Sequence, residues 1–401
     1  MKNVILLTID TLRKDVLGPD VHRGKEGLTP FIDSLQDKCI VFNRCRAIGP
    51  YTQASFPGIL ASSYYLEFGK DKQLSPQRTL ISEVVKNGGF TTAGFHSNPY
   101  LSDYFGWNRG WDEFYDSMDD EVSDLVPYIL GDKINSKVAD WLASYTRQAG
   151  VKPFFLWAHY MDVHEPYVPE RKYIDMVDAS INVSKDEMLA LFKNVVLKRD
   201  VSNAETVTLL KKLYQAHVLE VDDYTKEFFG ILEKFDVLKS SIVIITSDHG
   251  DEFSEHGGLS HDGKMYSELI NVPFLIVDAD LEKGRVCDTL VSNVDIPPTI
   301  ASMFGLESPK SYHGQPLLPL DGYRPKGCFG EAIGKLSHKV KETDKPVYFY
   351  EEGNLRISWR VENDTWQMYD LKEDTKELSN IIDTSPAAED MKSKLKSNIK
   401  S

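Results

Sequence analysis

The chain has 401 residues, 41% hydrophobic and 27% charged, with 26 Gly and 19 Pro, which excludes a disordered, collagenous or repeat protein and leaves material for a sizeable core. Its 46 Lys and Arg stand against 61 Asp and Glu, a net charge of −15 that argues against a broad basic face for nucleic acid. Local charge still decides the chemistry of a site, so an anionic ester substrate stays open.

Met1-Lys2-Asn3 leads into the apolar run 4–9, too short for a signal h-region. No run approaches the ~18 apolar residues of a membrane span. The cysteines Cys39, Cys45, Cys287 and Cys328 form no C-x-x-C pair. A reduced, cytoplasmic protein without a membrane span is therefore expected, its oligomeric state left open.

Run 4–9 ends in Asp10 and has the pattern of a parallel strand buried on both faces. It is echoed by 153–158, 242–246 and 272–277. Thr52, after Gly49-Pro50-Tyr51, is placed at the start of a helix. The stretch 170–203 is charge-rich and poorly periodic, and is expected to be an insertion over the active edge. Leu209, Leu210, Leu213, His217, Val221, Phe228 and Leu232 carry the spacing of one apolar helical stripe. Beyond Gly314-Gln315-Pro316 the pattern changes to short strands at 328–332, 347–350, 355–361 and 366–369, followed by a polar final helix. The fold class is α/β, with a catalytic domain at 1–320 and a small subdomain at 321–401.

In such sheets ligands bind beyond the carboxyl ends of the strands. Asp10 follows the first run, Asp162 and His164 the second, Asp248 and His249 the third. Two acids and an imidazole from different strands, with Gly250 allowing a sharp turn, can hold one divalent cation and leave positions for nucleophile and substrate. A dinucleotide fold is poorly supported, because Asp10-Thr11-Leu12-Arg13 stands where G-x-G-x-x-G would follow the first strand.

Five stretches in order carry a resemblance: Ile5-Leu6-Leu7-Thr8-Ile9-Asp10-Thr11-Leu12-Arg13, Met161-Asp162-Val163-His164-Glu165-Pro166-Tyr167, Thr246-Ser247-Asp248-His249-Gly250-Asp251, residues 266–274, and Met368-Tyr369-Asp370-Leu371 with Glu377-Leu378-Ser379-Asn380. Over nearly its whole length the chain resembles the sulfatase family of the alkaline phosphatase superfamily. The resemblance implies a large, mostly parallel sheet flanked by helices and a C-terminal antiparallel sheet. It implies Asp10, Asp248 and His249 as metal ligands, with Thr52 beside them. One ion is expected, and Ca²⁺, Mn²⁺, Mg²⁺ and Zn²⁺ stay open.

The chain departs from the family at the nucleophile. Sulfatases carry Cys or Ser in C/S-x-P-S-R, oxidised to formylglycine. Here Thr52-Gln53-Ala54-Ser55-Phe56-Pro57-Gly58-Ile59-Leu60-Ala61-Ser62, anchored on its end, places Thr52 at the nucleophile and Phe56 where arginine belongs. A rival register through Ser55-Phe56-Pro57 needs a two-residue deletion. Threonine does not yield formylglycine but can attack phosphorus directly, as in related nucleotide pyrophosphatases and phosphoglycerol transferases. Thr11 stands where many sulfatases have a second acid or amide. His164 matches a histidine that contacts the ester oxyanion, and His261 one that protonates the leaving oxygen or binds a second metal. Lys264, His96, Asn98 and Arg13 complete the expected substrate contacts.

The expected activity is metal-dependent hydrolysis of phosphate, phosphonate or sulfate esters through Thr52. The alternatives are a true sulfatase using Ser55, a phosphoglycerol-type transferase and a catalytically silent binding protein.

Overall fold

Eight strands build the main sheet of the computed structural model, which describes residues 1–18, 27–69, 73–122, 126–148, 150, 152–325, 327–334 and 344–399. They are β1 (Asn3–Ile9), β2 (Cys39–Phe42), β3 (Thr91–His96), β4 (Glu113–Asp116), β5 (Phe154–Tyr160), β6 (Ser241–Thr246), β7 (Phe274–Asp278) and β8 (Arg285–Cys287), in the spatial order β8-β2-β7-β6-β1-β5-β3-β4. β1 lies between β5 and β6, parallel to both, and β3 continues the parallel pairing outward to β4. β7 departs from the parallel expectation for run 272–277: it runs antiparallel to both β6 and β2.

β1 shows why a continuous apolar run suits this place. Ile5, Leu7 and Ile9 enter one core, while Val4 and Leu6 enter the other on the opposite face. All five are fully buried, each worth roughly 1.5–3 kcal/mol relative to exposure. The first core receives α2 (Gly131–Tyr145) and the long α3 (Ala204–Lys234), whose predicted stripe supplies Leu210, Leu213, Phe228 and Leu232. The second receives α1 (Thr52–Ala61) through Phe56, Ile59 and Leu60.

The stretch 170–203 is helical over Arg171–Asp178 and Lys185–Leu191. At its end Arg199 donates to the carbonyls of Leu259 and His261, so it does reach the loop beyond β6.

From Cys328 the chain forms an antiparallel sheet of β9 (Cys328–Ile333), β10 (Pro346–Glu352), β11 (Leu355–Arg360) and β12 (Thr365–Asp370). One face, with Ala332, Val347 and Phe349, continues the second core. The other, with Phe329 and Tyr348, packs on Met391 and Leu395 of α4 (Ala388–Asn398). Glu351, fully buried, is forked by Arg46 and Arg356, and Arg356 also binds Glu377. Among the described residues no helix is long and apolar enough to cross a membrane.

Candidate active site and metal centre

Asp10, the residue after β1, and Asp248 and His249, just beyond β6, meet the N-terminus of α1 at the carboxyl edge of the sheet. Thr52, the first residue of α1, is nearly buried; its Oγ1 stands 3.4 Å from Asp10 Oδ2 and 3.5 Å from His249 Nε2. His249 Nε2 lies 3.5 Å from Asp10 Oδ1 and 3.4 Å from Asp248 Oδ2. Asn98 Nδ2 donates to Asp10 Oδ2 at 2.9 Å and to Thr52 Oγ1 at 3.3 Å.

The hydrogen bonds around this corner leave defined atoms over. Asp248 Oδ1 accepts from the backbone N–H groups of Thr11 and His249, and His249 Nδ1 is bonded to the Gly250 carbonyl at 3.0 Å. That bond makes Nδ1 the donor and leaves the Nε2 lone pair facing the two acids. Asp10 Oδ1 and Asp248 Oδ2 have no hydrogen-bond partner among the described residues, although both are buried. A buried carboxylate oxygen without a donor is costly. Three converging acceptors of this kind suit a divalent cation, and Asp10, Asp248 and His249 form a group that can hold one.

Protonation follows the same logic. Burial, then the charge of Asp10, pushes the Asp248 carboxyl well above the usual range. Burial would raise Asp10 as well, but His159, His164 and His249 hold it low. Two buried carboxylates sharing one space cannot both be charged without a cation. Burial, reinforced by the neighbouring His261, lowers His249 to about 4, which leaves its imidazole neutral at pH 7.

The local folding explains these positions. Tyr214 of α3 donates its hydroxyl to the Thr11 carbonyl at 2.9 Å and accepts from the Arg13 N–H at 3.0 Å, clamping the chain as it leaves Asp10. Thr11 itself is left-handed at φ 57°, a costly conformation for a β-branched residue. A Cβ on Gly250 would meet the Glu268 carbonyl at 2.2 Å, so only glycine permits this turn behind His249.

Ser55, the rival nucleophile, is turned the other way. Its hydroxyl donates to the Asp248 carbonyl at 2.6 Å and accepts from Asn293 Nδ2 at 2.7 Å, so it ties α1 to the loop of Asp248 and His249. Gly58 gives Asn293 room, since a Cβ there would lie 2.8 Å from Asn293 Oδ1.

His164 and His261 form a second corner beside the first. The His261 ring centroid lies 5.1 Å from that of His164 and 4.6 Å from that of His249. His261 Nδ1 is bonded to Asp251 Oδ1 at 2.8 Å and lies 3.7 Å from Glu165 Oε2. Burial opposes charge on His261, yet Glu165 and Asp251 hold its pKa above the usual value. His164 keeps one-fifth of its side chain exposed and bonds the Glu165 carbonyl through Nδ1 at 2.6 Å.

Of the four expected substrate contacts, only Asn98 reaches the cluster; three are engaged elsewhere. Arg13 is buried and spends its guanidinium on Asp15, Glu255 and the Asp251 carbonyl, bracing the loop instead of facing solvent. Lys264 pairs with Glu252 at 2.7 Å and borders a cavity of about 200 Å³ with Tyr266, Arg356 and Arg360. His96 is fully buried and stacked on Trp157; burial, then His159, lowers it to about 3. Asp162 accepts from the N–H of Gly131 at the start of α2 and does not enter the cluster. Glu165 and Asp251 stood in the motifs without a role. His159, inside the apolar run of β5, went unnoticed; its one signal was a polar residue in a strand buried on both faces.

A mostly parallel α/β sheet with acids, imidazoles and a helix-end alcohol at its carboxyl edge is the setting of a hydrolytic site, and the comparisons with known proteins name the class as ester hydrolase. The sulfatase family model matches residues 2–306, so the chain belongs to the sulfatase family. The model of the N-sulphoglucosamine sulphohydrolase C-terminal region matches residues 254–401. An arylsulfatase of Clostridium perfringens is 23% identical over 95% of this chain and 90% of its own length. Human arylsulfatase K is 28% identical over 43% of this chain and 33% of its own length. The fold is also that of BT4656, solved in complex with its substrate D-glucosamine-2-N,6-O-disulfate (TM-score 0.80, 19% identity, 99% and 96% of the two chains). The phosphonate monoester hydrolase of Agrobacterium radiobacter is similar too (TM-score 0.78, 17% identity, 99% and 94% covered).

Proposed function

We propose that this sulfatase-family enzyme hydrolyses phosphonate or phosphate esters through Thr52, with sulfate esters as poorer substrates. The observation that carries the reading is Thr52 Oγ1 beside Asp10 and His249 at a helix N-terminus, while the Ser55 hydroxyl is consumed in two short hydrogen bonds. Asp10, Asp248 and His249 hold the divalent ion in this reading. When bound, the ion supplies Lewis-acid stabilisation of negative charge and favours the ionised threonine.

Thr52, having released its hydroxyl proton to solvent, attacks the ester centre in line, its N-terminal place on α1 favouring an anion. Asn98 holds the hydroxyl in register through its bond to Oγ1. His164, partly exposed, faces the ester oxygens. His261, whose charged form Glu165 and Asp251 favour against burial, gives its proton to the departing oxygen. Water then cleaves the phospho-threonine ester and regenerates the alcohol. Phosphorus suits this sequence, because an alcohol ester of phosphate is open to a second in-line attack while threonine offers no geminal diol. The likeness to a phosphonate monoester hydrolase fold and the arylsulfatase relatives are compatible with this substrate range.

The test is a parallel assay of aryl phosphonate monoester, phosphodiester, aryl phosphate and aryl sulfate with Mn²⁺, Mg²⁺, Ca²⁺ and Zn²⁺, repeated on Thr52→Ala and Ser55→Ala. Thr52→Ala is expected to lose about 10⁴-fold or more in kcat, whereas Ser55→Ala keeps most activity at some cost in stability. The opposite ranking, with sulfate the best substrate, overturns the reading.

A further inference from the structure

The period-two alternation of β1 and β5 lays four polar side chains along one face of the sheet. Thr8 comes from β1 and Asp10 directly follows it, while Trp157 and His159 come from the neighbouring parallel β5, with Thr8 directly opposite His159. Trp157 Nε1 donates to Thr8 Oγ1 at 3.0 Å. Thr8 Oγ1 lies 2.9 Å from His159 Nδ1 and 3.3 Å from the Ala158 carbonyl. His159 Nε2 lies 3.5 Å from Asp10 Oδ2 and has no other partner among the described residues. All four residues are fully buried.

We infer that Trp157, Thr8 and His159 form a relay that fixes the tautomer of His159 and thereby aims the Asp10 carboxylate, making His159 a positioning residue for the metal-ligating oxygen. An indole N–H is a donor only, so Thr8 must accept from Trp157 and has one proton left to give. Thr8 can spend it on the Ala158 carbonyl while accepting from an Nδ1–H, or on a bare Nδ1. The facing carboxylate decides, because a bare Nε2 lone pair against Asp10 Oδ2 would leave two buried acceptors opposed. Nε2 therefore carries the hydrogen, and Nδ1 accepts from Thr8. With Oδ2 engaged by His159 and by Asn98, Asp10 Oδ1 is the oxygen that turns toward Asp248 and His249. Outer partners of this kind set the orientation of metal ligands.

Phe56 explains why the relay stays dry. It occupies the place where the family carries arginine, and its ring packs edge-on against His159 at 5.0 Å and against Trp157 at 5.7 Å. Water that would scramble the tautomer is kept out by this apolar residue of α1.

The inference rests on the proposed metal site, and the experiment separates the two. In ¹⁵N-histidine-labelled, chelator-treated protein, His159 is expected to show a protonated Nε2 and an acceptor-type Nδ1. In Thr8→Val that pure tautomer signature is expected to be lost, and in Thr8→Ser to return. Mn²⁺ affinity by chelator competition should fall about tenfold or more in Thr8→Val and His159→Phe, and recover in Thr8→Ser, with folding followed by circular dichroism. A wild-type protein that binds no Mn²⁺ overturns the metal-site reading. Wild-type binding with unchanged affinity in the well-folded Thr8→Val and His159→Phe variants, or an Nδ1–H tautomer, overturns the relay.

Discussion

The two corners of the active edge are built from the same residue types and differ in what they leave unpaired. Around Asp10, Asp248 and His249, two buried carboxylate oxygens lack a donor and the imidazole is neutral. Around His261, Glu165 and Asp251 favour the charged imidazole against burial, so these acids face a cation-forming group already in place. The first corner has acceptors left over, and the second has a donor to match them. That contrast argues for one metal, although His164, Glu165 and His261, and also His249, Asp251 and His261, lie close enough together to form ligand groups. The charged form favoured by the two carboxylates suits a proton donor, since ligation needs the neutral ring.

The comparison breaks most sharply at Asp248. Asp248→Asn removes one of the two acceptors and is expected to abolish stoichiometric metal binding and, with it, activity. Elemental analysis after dialysis checks this, and undiminished occupancy would sink the assignment. The second corner is probed by His261→Gln, expected to cost about 10²–10⁴ in kcat for esters of poorly acidic alcohols and little for nitrophenyl esters, which leave without a proton.

The pH profile sharpens the same point. Because Glu165 and Asp251, against the effect of burial, raise the pKa of His261, its acid form persists above pH 6.5, the usual imidazole value. The wild-type rate is expected to fall only as pH rises through that folded value. His261→Gln should lose this limb.

A smaller effect tests the first corner from the binding side. Burial and the charge of Asp10 raise the Asp248 carboxyl above the usual carboxylate range in the metal-free protein, and a bound cation reverses that shift. Mn²⁺ binding is therefore expected to be coupled to proton release above that usual range, read as a dependence of calorimetric enthalpy on buffer ionisation. A metal site formed at the second corner would instead displace the proton of His261, and Asp248→Asn would leave the release intact.

The smallest expected effect lies just outside both corners. Burial raises Asp162 to about 8, above an unfolded value of about 3.9. A group raised on folding contributes stability at low pH that is lost as pH climbs through the folded value. Asp162→Asn keeps an acceptor for Gly131 and should flatten this decline in Tm between pH 5 and pH 9, with metal affinity unchanged.

The sheet was legible because β1, β5 and β6 are buried on both faces, so each reads as an unbroken apolar run ending in a polar residue. β7 carries the same signature, and nothing in such a run encodes strand direction; the connection 247–273 is long enough for either direction, and the chain takes the antiparallel one against β6. Asp10, Thr52, Asp248, His249 and Asn98 come together because strand ends and a helix start carry their positions in the local pattern. Arg13, Lys264 and His96 illustrate the opposite case. Whether a cation meets solvent or an acid such as Glu255 or Glu252 depends on residues more than 200 positions away in the first instance and 12 in the second, and the sequence alone gives no distance. His159 escaped for a related reason. Its partners Thr8 and Asp10 lie about 150 positions earlier, joined to it only by the register of two strands.

Glu377 has a consequence for how the chain is made. It pairs with Arg356, accepts from the Ser267 N–H and offers its carbonyl to His256, whose other nitrogen binds Glu268. The loop carrying His261 is thus buttressed by a residue translated 116 codons after it. A nascent polypeptide that already carries Asp10, Asp248 and His249 still lacks the prop for the neighbouring corner, so in the proposed reading catalytic competence waits until residue 377 has been made. Ribosome-bound intermediates, and fragments truncated before residue 377, are expected to capture a cation before they can turn over an ester.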